Sequence, residues 1–492
     1  MKHPIRFMSQ ILPVVHILSK VLMLFSAAFL LPLAISLGLE DGAHRAYDEA
    51  IAATFLSGLV LWLFSRRGKR ELHTRDGFLL VVMIWAILPV FSAIPLLSYM
   101  PELSFTDAYF EAVSGLTATG ATVLSGLDDL PPSINVWRTE MHWIGGMGVI
   151  VLVVAVLPML GVGGRQLFKA ETPTPMKDSK LTPRMAETAK GLWLVYAIIT
   201  AFCILALWLG GMSWIDALVH AFSVMSLGGF SSHDASLGYF DSVTLEIIVM
   251  VFALIAGISF STHFMAFRMR NLMAYRFDTE IRWFFGVLAA SILGLTFYLL
   301  YKGFYLDFPE ALRFAAFNTI SIATTLGFST TDYNVWPYFA PLWMLFLSSF
   351  IASSGSTGGG IKMLRAMLLY KQVYRELTKL VHPSATVHTK IGTQPVPPKI
   401  TYAILAFLFI YVASIVILSF ILSASGLDVF TSFTAVVAMV NNTGPGLGQV
   451  GPASTYAVLN DFQTWVCSFA MLLGRLEFFT LLVVLTPVFW RK

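Results

Sequence analysis

The sequence predicts an all-α integral membrane fold in which two leading transmembrane helices precede four membrane helix, pore helix, membrane helix repeats in a pseudo-fourfold arrangement. Three observations predict it. Apolar runs recur along the whole chain, basic clusters punctuate them, and a glycine-bearing polar segment returns once in each interval between clusters.

Hydrophobic residues make up 57% of the 492 residues and charged residues only 12%, with a mean hydropathy of +0.75. A soluble domain carries roughly a quarter charged residues, and about 20 apolar residues cross a bilayer. The chain is therefore expected to be embedded in lipid, with no sizeable soluble domain. The net charge of +4 does not point to nucleic acid, because the basic residues lie between apolar runs and form no single face. Cys203 and Cys467 sit far apart inside apolar runs, which suits packing and gives neither a disulfide framework nor metal-ligand spacing. Lys2 and Arg6 precede an apolar run that reaches about Leu39 without a small-residue cleavage site, so that segment is expected to stay as a helix.

Leading helices are expected near Ile11 to Leu39 and Ala46 to Phe64, within residues 1–70. The basic stretch Arg66, Arg67, Lys69, Arg70 and Arg75 follows, with further basic groups at Arg165 to Lys190 (Lys169, Lys177, Lys180, Arg184), Arg268 to Arg282, Lys362 to Lys390, and Arg491 with Lys492. The positive-inside rule puts all of these, and both termini, in the cytoplasm. Glu102, Asp107, Asp128, Asp129, Asp234, Asp241, Asp332 and Asp461 mark the outer loops. Between them run outer helices near 77–98 and 137–160, 191–210 and 242–267, 283–301 and 339–370, and 399–424 and 463–490. Each pair encloses a segment too short to span, which reads as a re-entrant half-helix and loop, tolerated at membrane depth only where backbone is buried or lines a water-filled cavity. The repeats occupy 71–165, 186–270, 280–372 and 397–492. All four begin and end on the cytoplasmic side, so an axis along the membrane normal relates them.

The four loops superpose as Thr117 to Thr122, Ser226 to Ser231, Thr324 to Ser329, and Asn441 to Gly446, with Gly120, Gly229, Gly327 and Gly444 at one position. A small polar residue stands three before each glycine (Thr117, Ser226, Thr324, Asn441), and another stands two after it in the first three (Thr122, Ser231, Ser329). The glycines are 109, 98 and 117 residues apart, one repeat each. Glycine lets backbone adopt positive φ and approach closely, so successive carbonyls can face inward and replace a cation's hydration shell. The filter residues are then Ala118, Thr119 and Gly120; Leu227, Gly228 and Gly229; Thr325, Leu326 and Gly327; and Asn442, Thr443 and Gly444. The half-helices turn their partially negative ends toward the axis. Asp107 and Asp216, each thirteen before its glycine, are expected to cap or charge the start of their half-helices.

Two further features interrupt apolar runs. Gly355, Ser356, Thr357, Gly358, Gly359 and Gly360 break the last helix of the third repeat, at about 1 kcal/mol per glycine relative to alanine, and are expected to form a mobile loop beneath the filter that acts as a gate. Arg475 lies in the apolar last helix, where an ionisable side chain faces the bundle interior or water. Glu477, two residues on, is on another face. His142 and His263 lack further ligands at suitable spacing and read as packing residues. No nucleophile and base pair or metal constellation supports an enzyme.

With these loops, the intramembrane break, Arg475 and the two leading helices, the chain resembles the Trk/Ktr/HKT potassium transporter superfamily, in particular its TrkH-type bacterial uptake branch, over essentially its whole length. The resemblance implies K+ as the transported ion, with one filter glycine per repeat at Gly120, Gly229, Gly327 and Gly444, a gating loop at Gly355 to Gly360, and a gating arginine at Arg475. Gly120, rather than serine, implies potassium over sodium. Gly446 departs from the threonine or serine of the other loops. The resemblance also implies a homodimer among membrane lipids in the bacterial inner membrane and a cytosolic, nucleotide-binding TrkA-like ring as gating partner, with no cofactor bound by this chain. Channel conduction and H+- or Na+-coupled symport are both compatible with such a pore.

Overall fold

The computed structural model describes residues 3–66, 73–151, 185–391 and 394–491. Several basic residues used to orient the chain (Lys2, Arg67, Lys69, Arg70, Arg165, Lys169, Lys177, Lys180, Arg184 and Lys492) and the first repeat beyond Val151 lie outside the described residues.

The all-α membrane fold expected from the sequence is the fold observed, apart from one short antiparallel pair of Lys390–Ile391 with Gln394–Pro395. Among the described residues, six spans are long and apolar enough to cross a membrane: Ile11–Leu39, His44–Ser65, Arg75–Tyr99, Ala189–Leu209, Thr279–Tyr301 and Pro398–Ala424. The first two are the leading pair, packed closely enough that a Cβ on Gly58 would lie 2.9 Å from the Ser19 carbonyl oxygen. Each of the other four leads into a half-helix: Phe105–Leu116, Trp214–Ser226, Phe308–Ala323 and Val429–Asn441.

The returning helices differ from expectation. Two that read as continuous are broken, bending by 91° between Val243–Gly257 and Phe260–Met269 and by 118° between Asp461–Arg475 and Phe479–Leu485. Neither break contains proline; tertiary partners stabilise them. At the first, the Ser353 N–H donates to the Gly257 carbonyl at 3.0 Å, and the Phe260 N–H donates to the Gly355 carbonyl at 3.0 Å. Helix-end groups that would otherwise be orphaned in lipid are thus satisfied by the loop of the next repeat. At the second, Glu477 and Phe478 take φ of 53° and 54°, and Glu477 pairs with Arg365 at 2.8 Å. The third returning helix ends at Ser348 and resumes at Met363–Val381, with the glycine-rich segment between, as the sequence predicts.

Small residues permit the closest approaches. Gly145 lies against the Leu116 carbonyl, Gly359 against the Asn441 carbonyl and Gly474 against the Val440 carbonyl, each with no room for a Cβ. Returning elements therefore press on the C-terminal ends of the half-helices. Gly474→Ala would bring a methyl to 2.8 Å from the Val440 carbonyl carbon, and overpacking of this kind costs about 1–3 kcal/mol. The variant is expected to melt below wild type in detergent, whereas Gly286→Ala, next to open space, is expected to leave the midpoint unchanged. Equal midpoints for all three proteins would contradict this packing.

Candidate functional site

Local chemistry closes the C-terminal end of all four half-helices and caps the N-terminal end of three; the third, Phe308–Ala323, follows Asp307 with no side-chain cap and has Pro309 in its first turn. Ser104, Ser213 and Asp428, each sixteen residues before its glycine, are the N-caps. They accept from the backbone N–H of Asp107 (3.1 Å), Asp216 (3.0 Å) and Thr431 (2.8 Å). Of the two roles expected for Asp107 and Asp216, capping falls to the serines and charging the helix start is the one observed. Both aspartates sit in the first turn and accept from the capping serine hydroxyls at 2.8 and 2.7 Å, where a carboxylate also complements the helix dipole.

At the other end, Ala118, Leu227, Thr325 and Asn442 take φ of 50°, 55°, 69° and 52°. The next N–H turns back to the helix: Thr119 to Ser114 (2.9 Å), Gly228 to Ser223 (2.9 Å), Leu326 to Ser321 (2.8 Å) and Thr443 to Ala438 (2.9 Å), the six-to-one closure of a Schellman turn. Gly120, Gly229, Gly327 and Gly444 then return to φ of 84°, 87°, 86° and 86°. Positive φ at alternate residues keeps successive carbonyls on one side of the strand, where an ordinary strand would alternate them.

The four strands meet in a ring. A Cβ on Gly120 would collide with the Gly228 carbonyl, on Gly229 with that of Leu326, on Gly327 with that of Thr443 (2.5 Å), and on Gly444 with that of Thr119 (2.7 Å). Each glycine thus abuts the residue preceding the glycine of the next repeat, and the series closes on itself. Among the described residues no hydrogen bond accepts at the carbonyls of these twelve residues except at Gly444, which the Tyr456 hydroxyl takes at 2.8 Å. Buried backbone acceptors left unpaired are rare, and a dehydrated cation is the partner they fit. The fourth strand is distinct in a second way: Asn442 donates to Thr119 Oγ1 at 2.9 Å, tying it to the first.

Superposing the half-helices reveals a row that the glycine neighbourhoods alone did not. Nine residues before the glycines stand Glu111, His220, Asn318 and Ala435. Thr122 donates to Glu111 (3.0 Å), Ser231 pairs with His220 (2.9 Å), and Asn318 donates to Thr330 (3.1 Å). In the fourth repeat Gly446 packs directly on Ala435, which explains the departure noted there: with no side chain to brace, glycine lets the strand approach the helix itself.

Beneath the strands, Gly355 to Gly360 cross from the third repeat to its neighbours. Thr357 Oγ1 donates to the Met225 carbonyl (3.1 Å), and the Gly359 N–H donates to Thr325 Oγ1 (3.1 Å). Gly358 faces the Thr324 carbonyl and Ala352, and Lys362 reaches the Gly358 carbonyl. Ser356 caps the turn on the Ser353 carbonyl (2.7 Å). Arg475, buried, donates to the Thr357 carbonyl and to the Gly145 carbonyl, both at 3.0 Å, and so joins the loop to the first repeat. His142 stacks on Phe230 at 4.1 Å behind Gly228, and His263 bonds Tyr275 and the Ile255 carbonyl. Both are packing residues, and no cluster of three or more metal-ligating side chains occurs among the described residues.

The family model for TrkH, described as a cation transport protein, matches residues 44–491. The chain is 45% identical to the Trk system potassium uptake protein TrkH of Salmonella typhimurium, over 97% of this chain and 99% of that one. It is 36% identical to TrkG of Escherichia coli, over 98% and 99%. The crystal structure of the potassium transporter TrkH from Vibrio parahaemolyticus matches with a TM-score of 0.90 at 42% identity, covering 98% of this chain and all of that one.

Above the ring opens a cavity of about 290 Å³ that reaches the four glycines and His233. His233 Nδ1 pairs with Asp128 at 2.5 Å, and its Nε2 lies 3.3 Å from Asp216; its ring stacks on Tyr239 at 3.6 Å and stands 6.3 Å from that of His220. Burial alone would lower the imidazole pKa, but the nearby Asp216 carboxylate and the hydrogen-bonded Asp128 outweigh it and raise the value. A raised folded-state value means that this tie between the first and second outer loops is fully present below about pH 6.5 and lost as pH rises through the folded-state pKa. The melting difference between wild type and His233→Gln is therefore expected to be larger at about pH 5.5 than at about pH 9. A difference that is constant or grows with pH would contradict this assignment.

Proposed function

The chain belongs to the TrkH family of cation transport proteins, a family of multi-pass membrane potassium transporters and not enzymes, and we propose that it is the potassium-selective, ion-translocating subunit of a bacterial Trk-type uptake system. K+ is cargo here, and chemistry on a cofactor has no part in moving it. The single observation that carries the reading is the ring of four strands, each glycine packed on the carbonyl of the next repeat. Residues Ala118 to Gly120, Leu227 to Gly229, Thr325 to Gly327 and Asn442 to Gly444 are the filter. Their carbonyls take the place of the ion's water, and the C-terminal ends of four half-helices add favourable potential for a cation.

Gly355 to Gly360 with Arg475 are the gate. The guanidinium adds positive charge below the filter and, through two carbonyls in different repeats, holds the loop across the path. Met363–Val381 continues directly from that loop and carries Arg365, Lys371, Arg375 and Lys379, which fits a cytoplasmic position. A cytosolic nucleotide-binding TrkA-like ring acting on this face would control the loop. The basic clusters favour both termini in the cytoplasm, and the likeness to bacterial Trk proteins points to the inner membrane. The homodimer and the boundaries of the four repeats, at 71–165, 186–270, 280–372 and 397–492, belong to the same proposal.

Two measurements test the reading. Under opposed K+, Na+ and H+ gradients, the reversal potential of purified protein in bilayers is expected to follow K+ alone; dependence on the H+ or Na+ gradient would establish symport through the same pore instead. Arg475→Ala removes the barrier and the clamp, and is expected to raise K+ flux in the absence of any partner at matched folded protein. Flux equal to or below wild type from a folded variant would contradict the gate.

A further inference from the structure

Glu111 and Arg138 form an ion pair whose side chains are both fully buried. Glu111 is on the first half-helix, and Arg138 is on Pro132–Val151 behind it. Arg138 Nε donates to Glu111 Oε1 at 2.9 Å, and Nη2 lies 2.8 Å from the same oxygen. The rest of the guanidinium is engaged by the strands. Nη2 donates to Thr122 Oγ1 at 3.2 Å, and Nη1 donates to the Ser231 carbonyl at 3.1 Å and to Asn135 Oδ1 at 3.2 Å. The guanidinium also lies 4.4 Å from the centroid of Phe230. The carboxylate accepts in turn from Thr122 Oγ1 and from the Val123 N–H at 3.1 Å.

Thr122 and Ser231 both lie two residues beyond a filter glycine, one in the first repeat and one in the second. We infer that the Glu111–Arg138 pair is a positioning device that sets the spacing of the first and second filter strands, and through it the preference for K+ over Na+. The inference rests on the filter reading above. Stability alone is a poor reason for such a pair, since buried ion pairs are often replaceable by apolar residues without loss. A planar guanidinium with donors at fixed angles is suited to hold two strands at a defined separation. The rows at His220, Asn318 and Ala435 each brace one strand only, through a neutral contact or none. The charged brace stands where two strands are held by one side chain.

The test measures the K+/Na+ permeability ratio from reversal potentials of the purified full-length protein in bilayers, with melting in detergent recorded alongside. Glu111→Gln and Arg138→Gln are expected to lower the ratio by about tenfold, equivalent to about 1.4 kcal/mol between the two ions. Arg138→Lys keeps the charge beside Glu111 but loses the fork that reaches Ser231, and is expected to fold and still lower the ratio. Arg313→Gln breaks an ion pair with Glu246 and Asp241 that, among the described residues, has no bond to a filter strand, and is expected to retain the wild-type ratio. Gly120→Ser serves as the filter control. A wild-type ratio in the folded pair variants, with a shift in Gly120→Ser, overturns the positioning role and leaves the filter reading standing. An unchanged ratio in Gly120→Ser overturns the filter reading itself. If none of the three pair variants folds, the pair is structural and the inference is equally overturned.

Discussion

The contact between a glycine Cα and the carbonyl of the next repeat is the constraint on which the rest of this structure depends. Non-helical backbone at membrane depth must be shielded from lipid and its polar groups satisfied. Here four strands accomplish this by packing edge to edge in a closed ring, possible only where Gly120, Gly229, Gly327 and Gly444 combine positive φ with no side chain. The N–H groups turn back to the half-helices and the carbonyls are left over. An arrangement that spends its donors locally and strands its acceptors together has the chemistry that a dehydrated cation requires.

Satisfying backbone also organises the opposite side of the ring. The broken ends of the second returning helix and the glycine-rich loop of the third repeat complete each other's hydrogen bonds, through Gly257 with Ser353 and Phe260 with Gly355. Arg475 does the same for carbonyls of the loop and of the first repeat. The loop is thus bonded to the second repeat at Met225 and Phe260, to Thr325 of its own repeat and to Arg475 of the fourth, and Arg475 carries the tie on to Gly145 of the first.

Much of this was legible in the sequence, because membrane length, basic clusters and glycine register are local or strictly periodic signals. The half-helices, the break at Gly355 to Gly360 and the isolation of Arg475 come from such signals. The bends after Gly257 and Arg475 do not. Their stabilising partners, Ser353, Gly355 and Arg365, are about a hundred residues away in the chain, and nothing at Ile258 or Leu476 announces them. The capping serines are less conspicuous in the sequence than Asp107 and Asp216, although Ser104 and Ser213 share their sixteen-residue offset with Asp428. Glu111 and Arg138 were missed for a related reason. Charges near an apolar segment read as loop residues until the fold buries them together, and only the nine-residue row along the half-helices would have drawn attention to Glu111.

Cation binding by the ring can be tested directly by anomalous diffraction from crystals of the protein grown with Tl+ or Rb+ in place of K+. A peak is expected on the axis of the ring, at inner-sphere distance from the carbonyls of Thr119, Gly228, Leu326 and Thr443. A transport-competent protein that shows no ion there, or whose ions bind only away from these four strands, would contradict the ring as the place where the ion sheds its water.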